Sequence, residues 1–329
     1  LMVFDLVLRG GEVIDGTGRP RFRADVGITG DRITALGDLA AAEARETRDV
    51  TGRIVAPGFI DVHNHTDGWL LKQPDLDVKI RQGFTTELLM SDGIGYAPID
   101  PITGPQWAYY LKCLNALRLD ECHGWRTMAE YQARLDRRCL QNHLVQIPYA
   151  NVRTLAAGFG RCVIDDLQRK LIHAEIRDAL DAGATGISTG LDYISQWSAT
   201  TEELADACKL MAARQGVYVS HIRYKHGLMP AVREVVEIGR RAGVPVHISH
   251  LKGGNEREID ELLNYIDTTA RKEVDFTFEV YPYQPGSTML NFILPYEVWD
   301  DGPTAAAGKL LRPEVQERFR RALLNYKLP

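Results

Sequence analysis

The chain has 329 residues, 45% hydrophobic and 25% charged, with a formal net charge of −5. That length suits one large domain or two ordinary ones, and the composition is that of a globular protein with a sizeable core. The acidic balance gives no electrostatic footprint for nucleic acid or an anionic membrane, no apolar run approaches the roughly 20 residues of a membrane-spanning helix, and nothing at the N-terminus reads as a signal peptide.

Residues 3 to about 55 read as short strands. Phe4–Arg9 alternates and meets Gly10-Gly11, and Glu12–Ile14 ends in Asp15-Gly16-Thr17-Gly18. Asp25–Ile28 and Arg32–Leu36 flank Gly30-Asp31, a hairpin signal. The expectation is a small β-domain over residues 1–55, too thin to stand alone. After Pro57-Gly58 the pattern changes. Strand-like runs at Phe59–Val62, Thr85–Met90, Leu144–Ile147, Thr185–Ser188, Val217–Ser220, Val246–Ser249 and Phe276–Tyr281 alternate with helical patterns. One helix shows Leu228, Val232, Val235, Val236 and Gly239 on a single face, and another opens at Thr200 with Glu203 at the third position, as a capping box does. Strands alternating with helices predict a parallel sheet. The fold expected for 56–329 is an α/β, (β/α)8-type TIM barrel, with seven strands counted and the last one missing from this chain.

Two apparent motifs carry no chemistry. Gly16-Thr17-Gly18 is followed by Arg19-Pro20-Arg21 where a dinucleotide-binding helix would begin, and Gly308-Lys309 lacks the glycine spacing and hydroxyl of a phosphate loop. The five cysteines, Cys113, Cys122, Cys139, Cys162 and Cys208, form no CxxC pair. Neither a disulfide framework nor a thiolate zinc site is expected, and a reducing cytoplasm suits them.

Nine histidines leave position to decide which matter. His63 and His65 follow an apolar run at alternate positions, so both imidazoles can point the same way and reach one ion. His221 and His250 end the runs at Val217 and Val246. Catalytic groups of a barrel gather at the C-terminal ends of its strands, and imidazole suits Zn²⁺ or a similar ion. Ligands drawn from separate strand ends point to an open, catalytic site. His247 is at odd register to His250 and reads as structural. His123, His143 and His173 fall in helices or loops with surface or core roles, and His226 lies close enough to the His221 strand to reach a substrate.

The segments Phe4–Gly11, Ala56–His65 and Gly83–Thr86 resemble the amidohydrolase superfamily. Gly186–Tyr193, Ser220–Arg223, Ile248–Lys252, and Tyr281-Pro282-Tyr283 with Gly286-Ser287-Thr288 narrow the resemblance to its D-aminoacylase (N-acyl-D-amino-acid deacylase) branch, over nearly the whole chain. The resemblance implies a zinc-dependent hydrolase acting on carbon–nitrogen bonds other than peptide bonds. It implies one or two Zn²⁺ ions on His63, His65, His221 and His250, and a substrate pocket lined by Tyr193, Lys252, Tyr283 and Ser287; in the reaction expected, a metal or Tyr193 steadies the oxyanion. The partner implied is a small N-acyl amino acid; oligomer formation is left open.

Three departures follow. Where the branch places a bridging cysteine after the second strand, this chain has Asp92, two residues past Met90; a carboxylate is the anion expected to bridge there, and a simple turn residue is the competing reading. The fourth strand ends Ile187-Ser188-Thr189-Gly190 without the carboxylated lysine of hydantoinases and dihydroorotases. The general-base aspartate of the superfamily, expected at the end of an eighth strand, would lie beyond Pro329. Another amide or cyclic-amide hydrolase of the superfamily, or a catalytically impaired metal-binding homologue, stands as the alternative to N-acyl-D-amino-acid deacylation.

Overall fold

Residues 3–283 and 285–325 are described in a computed structural model, in which the chain divides into two compact units, 1–59 and 60–329. The first unit is built of strands alone. β1 (Phe4–Arg9), β2 (Glu12–Val13), β3 (Phe22–Arg23), β4 (Asp25–Thr29), β5 (Arg32–Gly37), β6 (Ala44–Asp49) and β7 (Ile54–Val55) form two sheets, ordered β5-β4-β1-β6 and β3-β2-β7. The Gly30-Asp31 hairpin joins β4 to β5 antiparallel, with Gly30 at a φ of 59° that favours glycine. β6 pairs parallel to β1, and its sequence Ala-Arg-Glu-Thr-Arg-Asp offers no apolar alternation to announce it.

The second unit alternates strands with helices. β8 (Phe59–Asp61), β9 (Phe84–Leu89) and β10 (Asn142–Val145) form one sheet, and β11 (Ile147–Pro148), β12 (Gly186–Gly190), β13 (Val217–His221), β14 (Val246–Ile248) and β15 (Phe276–Phe278) form another. β9 runs parallel to β10, and every neighbouring pair from β11 to β15 is parallel. Gln146 is the only residue between β10 and β11, and backbone bonds cross the break. Its N–H donates to the Leu89 carbonyl at 3.1 Å, and the Thr185 N–H donates to the Val145 carbonyl at 2.9 Å. The strands therefore occupy seven positions in chain order, close to the runs read from the sequence. Among the described residues the order ends at β8 and β15, and the sheet is not closed into a barrel. β15 stops at Phe278 rather than Tyr281, and His143 lies within β10 rather than in a helix or loop.

Burial follows the parallel arrangement. β12 is buried along its whole length, as expected of a central strand covered on both faces. The helix after β13, Leu228–Ala242, turns Leu228, Val232, Val235, Val236 and Gly239 inward. Gly239 lies so close to Val246 that an added Cβ would collide with it. No helix of the described residues is long and apolar enough to cross a membrane.

The helix Thr201–Ala212 starts at its expected cap, where the Glu203 N–H donates to Thr200 Oγ1 at 3.1 Å. The second half of the capping box is absent, because the Glu203 side chain turns inward. Its Oε1 accepts from Arg153 Nε at 2.8 Å and from the Tyr149 hydroxyl at 2.7 Å. Arg153, fully buried, also donates to the carbonyls of Ser195 at 2.9 Å and Cys162 at 2.8 Å. Removing one partner strands the other as a buried charge, which costs about 3–5 kcal/mol. Arg153→Ala is expected to lower unfolding free energy by about that amount in urea denaturation; a loss under about 1 kcal/mol would show the pair to be dispensable.

Candidate metal centre

A turn with unfavourable backbone geometry delivers the acidic member of the site. Past β9 the chain enters the left-handed region at Met90 (φ 64°), Asp92 (φ 60°) and Gly93 (φ 69°). Side chains from several elements hold it there. The Met90 N–H donates to Asp67 Oδ1 at 2.5 Å, and Ser188 Oγ donates to the Met90 carbonyl at 2.6 Å. The Gly93 N–H donates to Ser188 Oγ at 3.1 Å, and Gln196 Nε2 donates to the Asp92 carbonyl at 3.0 Å. Non-glycine residues at positive φ cost free energy and persist where the surroundings over-determine them.

The segment after β8 is a turn as well. The Thr66 N–H donates to Asn64 Oδ1 at 3.2 Å, while Asn64 Nδ2 donates to the Leu88 carbonyl at 3.1 Å. Beneath it lies Glu87, fully buried, which accepts from Thr66 Oγ1 at 2.5 Å, pairs with Lys79 at 2.5 Å and also accepts from Gln141. Lys79 pairs in turn with Asp61 at 2.7 Å. This layer fixes His63 and His65.

The imidazoles converge on Asp92. Its Oδ2 lies 3.7 Å from His63 Nε2 and 3.5 Å from His65 Nε2, and its Oδ1 lies 3.5 Å from His250 Nε2. His221 Nδ1 is 3.1 Å from His250 Nε2. The structure thus brings His63, His65, His221, His250 and Asp92 together. One ligand atom each from His63, Asp92 and His250 can be chosen so that all lie within 4.8 Å of one another. Asp92 is 2% exposed, and its Oδ1 has no hydrogen-bond partner among the described residues. Among the described residues no backbone N–H donates to this carboxylate, as one would to a turn-capping aspartate. Zinc bonds of about 2.0–2.2 Å in a tetrahedral site put neighbouring ligand atoms roughly 3.3–3.6 Å apart. The observed separations are close to that spacing and longer than ordinary hydrogen bonds. These residues fit a divalent ion.

Electrostatics point the same way. Burial by itself would raise the Asp92 carboxyl, but the charge on His63 and the neighbouring imidazoles of His250 and His65 hold it well below the carboxylate range. Burial would lower His63, yet Asp92 and Glu279 outweigh it and raise His63 above its ordinary value. Burial lowers His250 to about 4, so its ring is neutral at pH 7, the form that binds metal.

Two acidic residues join the site without having been anticipated. Glu279, just past β15, places Oε1 2.8 Å from His63 Nδ1. Asp192, 2% exposed, places Oδ2 3.5 Å from His221 Nε2. Glu279 has a signal in the sequence, since it follows a strand as the histidines do, but a strand extended to Tyr281 hides it in an interior position. Among the expected substrate residues, Tyr193 is buried with its ring 4.7 Å from that of His221. Lys252 sets its ammonium 4.2 Å from the Tyr224 ring and 5.8 Å from that of Tyr281, which lies 5.6 Å from His250. Tyr283 stacks on Tyr281 at 5.1 Å and is half exposed, and Ser287 is exposed on the same segment. His226 is exposed beyond β13. His247 sits 2.8 Å from Thr277 Oγ1, His173 lies 3.4 Å from Asp206, and His123 is exposed.

Comparison with known proteins adds the relatives. No protein-family model matches the chain. It is 37% identical over 308 residues to D-aminoacylase of Alcaligenes xylosoxydans xylosoxydans, covering 87% of this chain and 59% of that protein. It is 39% identical over 291 residues to N-acyl-D-glutamate deacylase of the same organism, covering 87% and 58%. Among solved structures, N-acyl-D-glutamate deacylase of Bordetella bronchiseptica, complexed with zinc and a phosphonate mimic of the tetrahedral intermediate, superposes with a TM-score of 0.77. The two are 35% identical over 86% of this chain and 59% of that one. The chain thus spans about 60% of the length of the curated relatives it matches.

The geometry predicts how Asp92→Asn behaves. The amide keeps the shape and removes the charge, so Zn²⁺ affinity measured by chelator competition is expected to fall at least about tenfold, or 1.4 kcal/mol, with the circular dichroism unchanged. A turn role predicts that Asn serves equally well, and unchanged zinc affinity would decide for it.

Proposed function

We infer that this chain, whose close homologues are D-aminoacylase and N-acyl-D-glutamate deacylase, forms the metal-holding part of a zinc-dependent amidohydrolase. Its reaction is hydrolysis of the amide bond of an N-acyl-D-amino acid, giving a carboxylate and the free D-amino acid. The observation that carries this reading is the buried Asp92 carboxylate, ringed by imidazoles from separate strand ends at separations that suit a shared ion.

His63, His65, His221, His250 and Asp92 would hold one or two zinc ions. When bound, the metal supplies water acidified to a pKa of about 7 and polarises the acyl carbonyl. Burial, together with the charge of Asp92, pushes the Tyr193 phenol well above its ordinary pKa, so it stays protonated. It can donate to the oxygen that gains negative charge as the acyl carbon turns tetrahedral. Lys252, held over tyrosine rings beside His250, is the cation for the substrate carboxylate, with Tyr283 and Ser287 on the segment that borders it. Asp92 acts by holding metal charge in place.

The barrel reading rests on the sheet edges. Ile60 in β8 and Val62 after it are 57% and 38% exposed, and Phe278 in β15 and Val280 after it are 39% and 60% exposed. An eighth strand between these edges would cover them and close a TIM barrel. The amidohydrolase resemblance places at its end the aspartate that passes a proton to the leaving nitrogen. In this reading residues 1–55 are the N-terminal part of a small β-sandwich and 56–329 belong to the barrel. All five cysteines are free, which suits a reducing cytoplasm.

Paired N-acetyl-D- and N-acetyl-L-amino acids, with ninhydrin detection of the released amine, test the reaction. Release from the D series at least about tenfold faster, a difference of 1.4 kcal/mol, is expected of a zinc-loaded form that also carries the eighth strand and its aspartate. Equal or L-favouring rates would overturn the assignment. Zinc binding with no release from either series would identify a metal-binding homologue without turnover.

A further inference from the structure

Glu279 belongs to no group named so far as a ligand or a substrate contact, yet it touches two residues of the site. It follows β15, whereas His63 follows β8 at the opposite end of the strand order. Its Oε1 stands 2.8 Å from His63 Nδ1, the ring nitrogen opposite the one that faces Asp92. Both atoms are buried, and neither makes a hydrogen bond to any other described group. Its second oxygen, Oε2, accepts the backbone N–H of His250. His250 is itself at a φ of 39°, a conformation that needs holding. One carboxylate thus ties down the ring of one imidazole and the backbone of another, across a sheet not closed at that point.

We propose that Glu279 is a positioning residue of the metal centre, accepting from His63 Nδ1 so that Nε2 is presented to the ion, and fixing His250 through its backbone. The proposal rests on the metal reading given above. An imidazole that binds metal through Nε2 must carry its proton on Nδ1, and a carboxylate at Nδ1 selects that tautomer, sets the ring plane and makes Nε2 a better donor. Both oxygens are engaged in this way, which leaves Glu279 poorly placed to take a proton from substrate or water. The same reasoning separates it from Asp92, whose oxygens face the imidazole Nε2 atoms.

The test uses chelator-stripped protein, titrated with Co²⁺ for its visible bands and with Zn²⁺ against a chromophoric chelator. Glu279→Gln is expected to weaken metal binding about 10–100-fold and to alter the Co²⁺ band shape, while the thermal midpoint of the stripped protein stays within a few degrees. His63→Ala is made alone and together with Glu279→Gln. Because Glu279 acts on the ion largely through His63, the double variant is expected to bind little worse than His63→Ala alone. Wild-type affinity and an unchanged Co²⁺ spectrum in Glu279→Gln would overturn the proposal. So would fully additive losses in the double variant, which would assign Glu279 an independent effect such as direct ligation. A parent chain that binds neither metal overturns the metal reading and this proposal together, whereas a parent that binds while Glu279→Gln binds equally well overturns only the proposal.

Discussion

The arrangement of this molecule depends on one buried anion. Asp92 is almost wholly removed from water, and such a carboxylate is costly unless positive charge or strong hydrogen bonds surround it. Here imidazoles surround it without bonding it closely. His63, His65 and His250 stand at 3.5–3.7 Å, separations that suit ligand atoms sharing a divalent ion. Parallel strands make this possible. Their C-terminal ends lie on one side, so residues far apart in the sequence meet there without long loops. The left-handed turn at Met90–Gly93 then carries the carboxylate into the ring of imidazoles, held by Ser188 and Gln196 from the β12 strand and the loop after it.

Behind the imidazoles lies a supporting layer as polar as the site. Glu87 holds Lys79, Thr66 and Gln141 beneath the His63–His65 segment, and Lys79 reaches Asp61 at the end of β8. Asp67, fully buried and pushed up to about 6 by burial, accepts from the Met90 N–H and from Asn115 at 2.6 Å. It joins the segment after β8 to the turn after β9. Precise placement of a metal-binding residue needs partners of this kind, because a ring free to rotate forfeits affinity.

Much of this was legible in the sequence, for reasons that differ by residue. The strand positions could be read because each carries a short apolar run, and the four histidines stood out because each follows such a run. Asp92 drew attention through family resemblance; its spacing alone would equally suit a turn. Other features stayed hidden where local pattern and tertiary structure disagree. β6 has no apolar period because it is an edge strand with mostly exposed side chains. Glu203 completes a capping-box pattern in sequence, but Arg153, 50 residues away, takes its carboxylate. Glu279 was masked because an apolar run shows where a strand could continue but not where its pairing stops, and β15 ends at Phe278. The partial solvent exposure of Tyr283 and Ser287 could not be read from their motif at all, since it depends on how the segment after β15 lies.

Zinc-edge anomalous scattering from crystals of the zinc-loaded protein tests most directly whether these residues share an ion. The predicted result is a peak within bonding distance, about 2.0–2.2 Å, of the Asp92 carboxylate and of at least two of the His63, His65, His221 and His250 rings. A peak elsewhere on the protein, or none with the Asp92 carboxylate still enclosed by the four imidazoles, would contradict it.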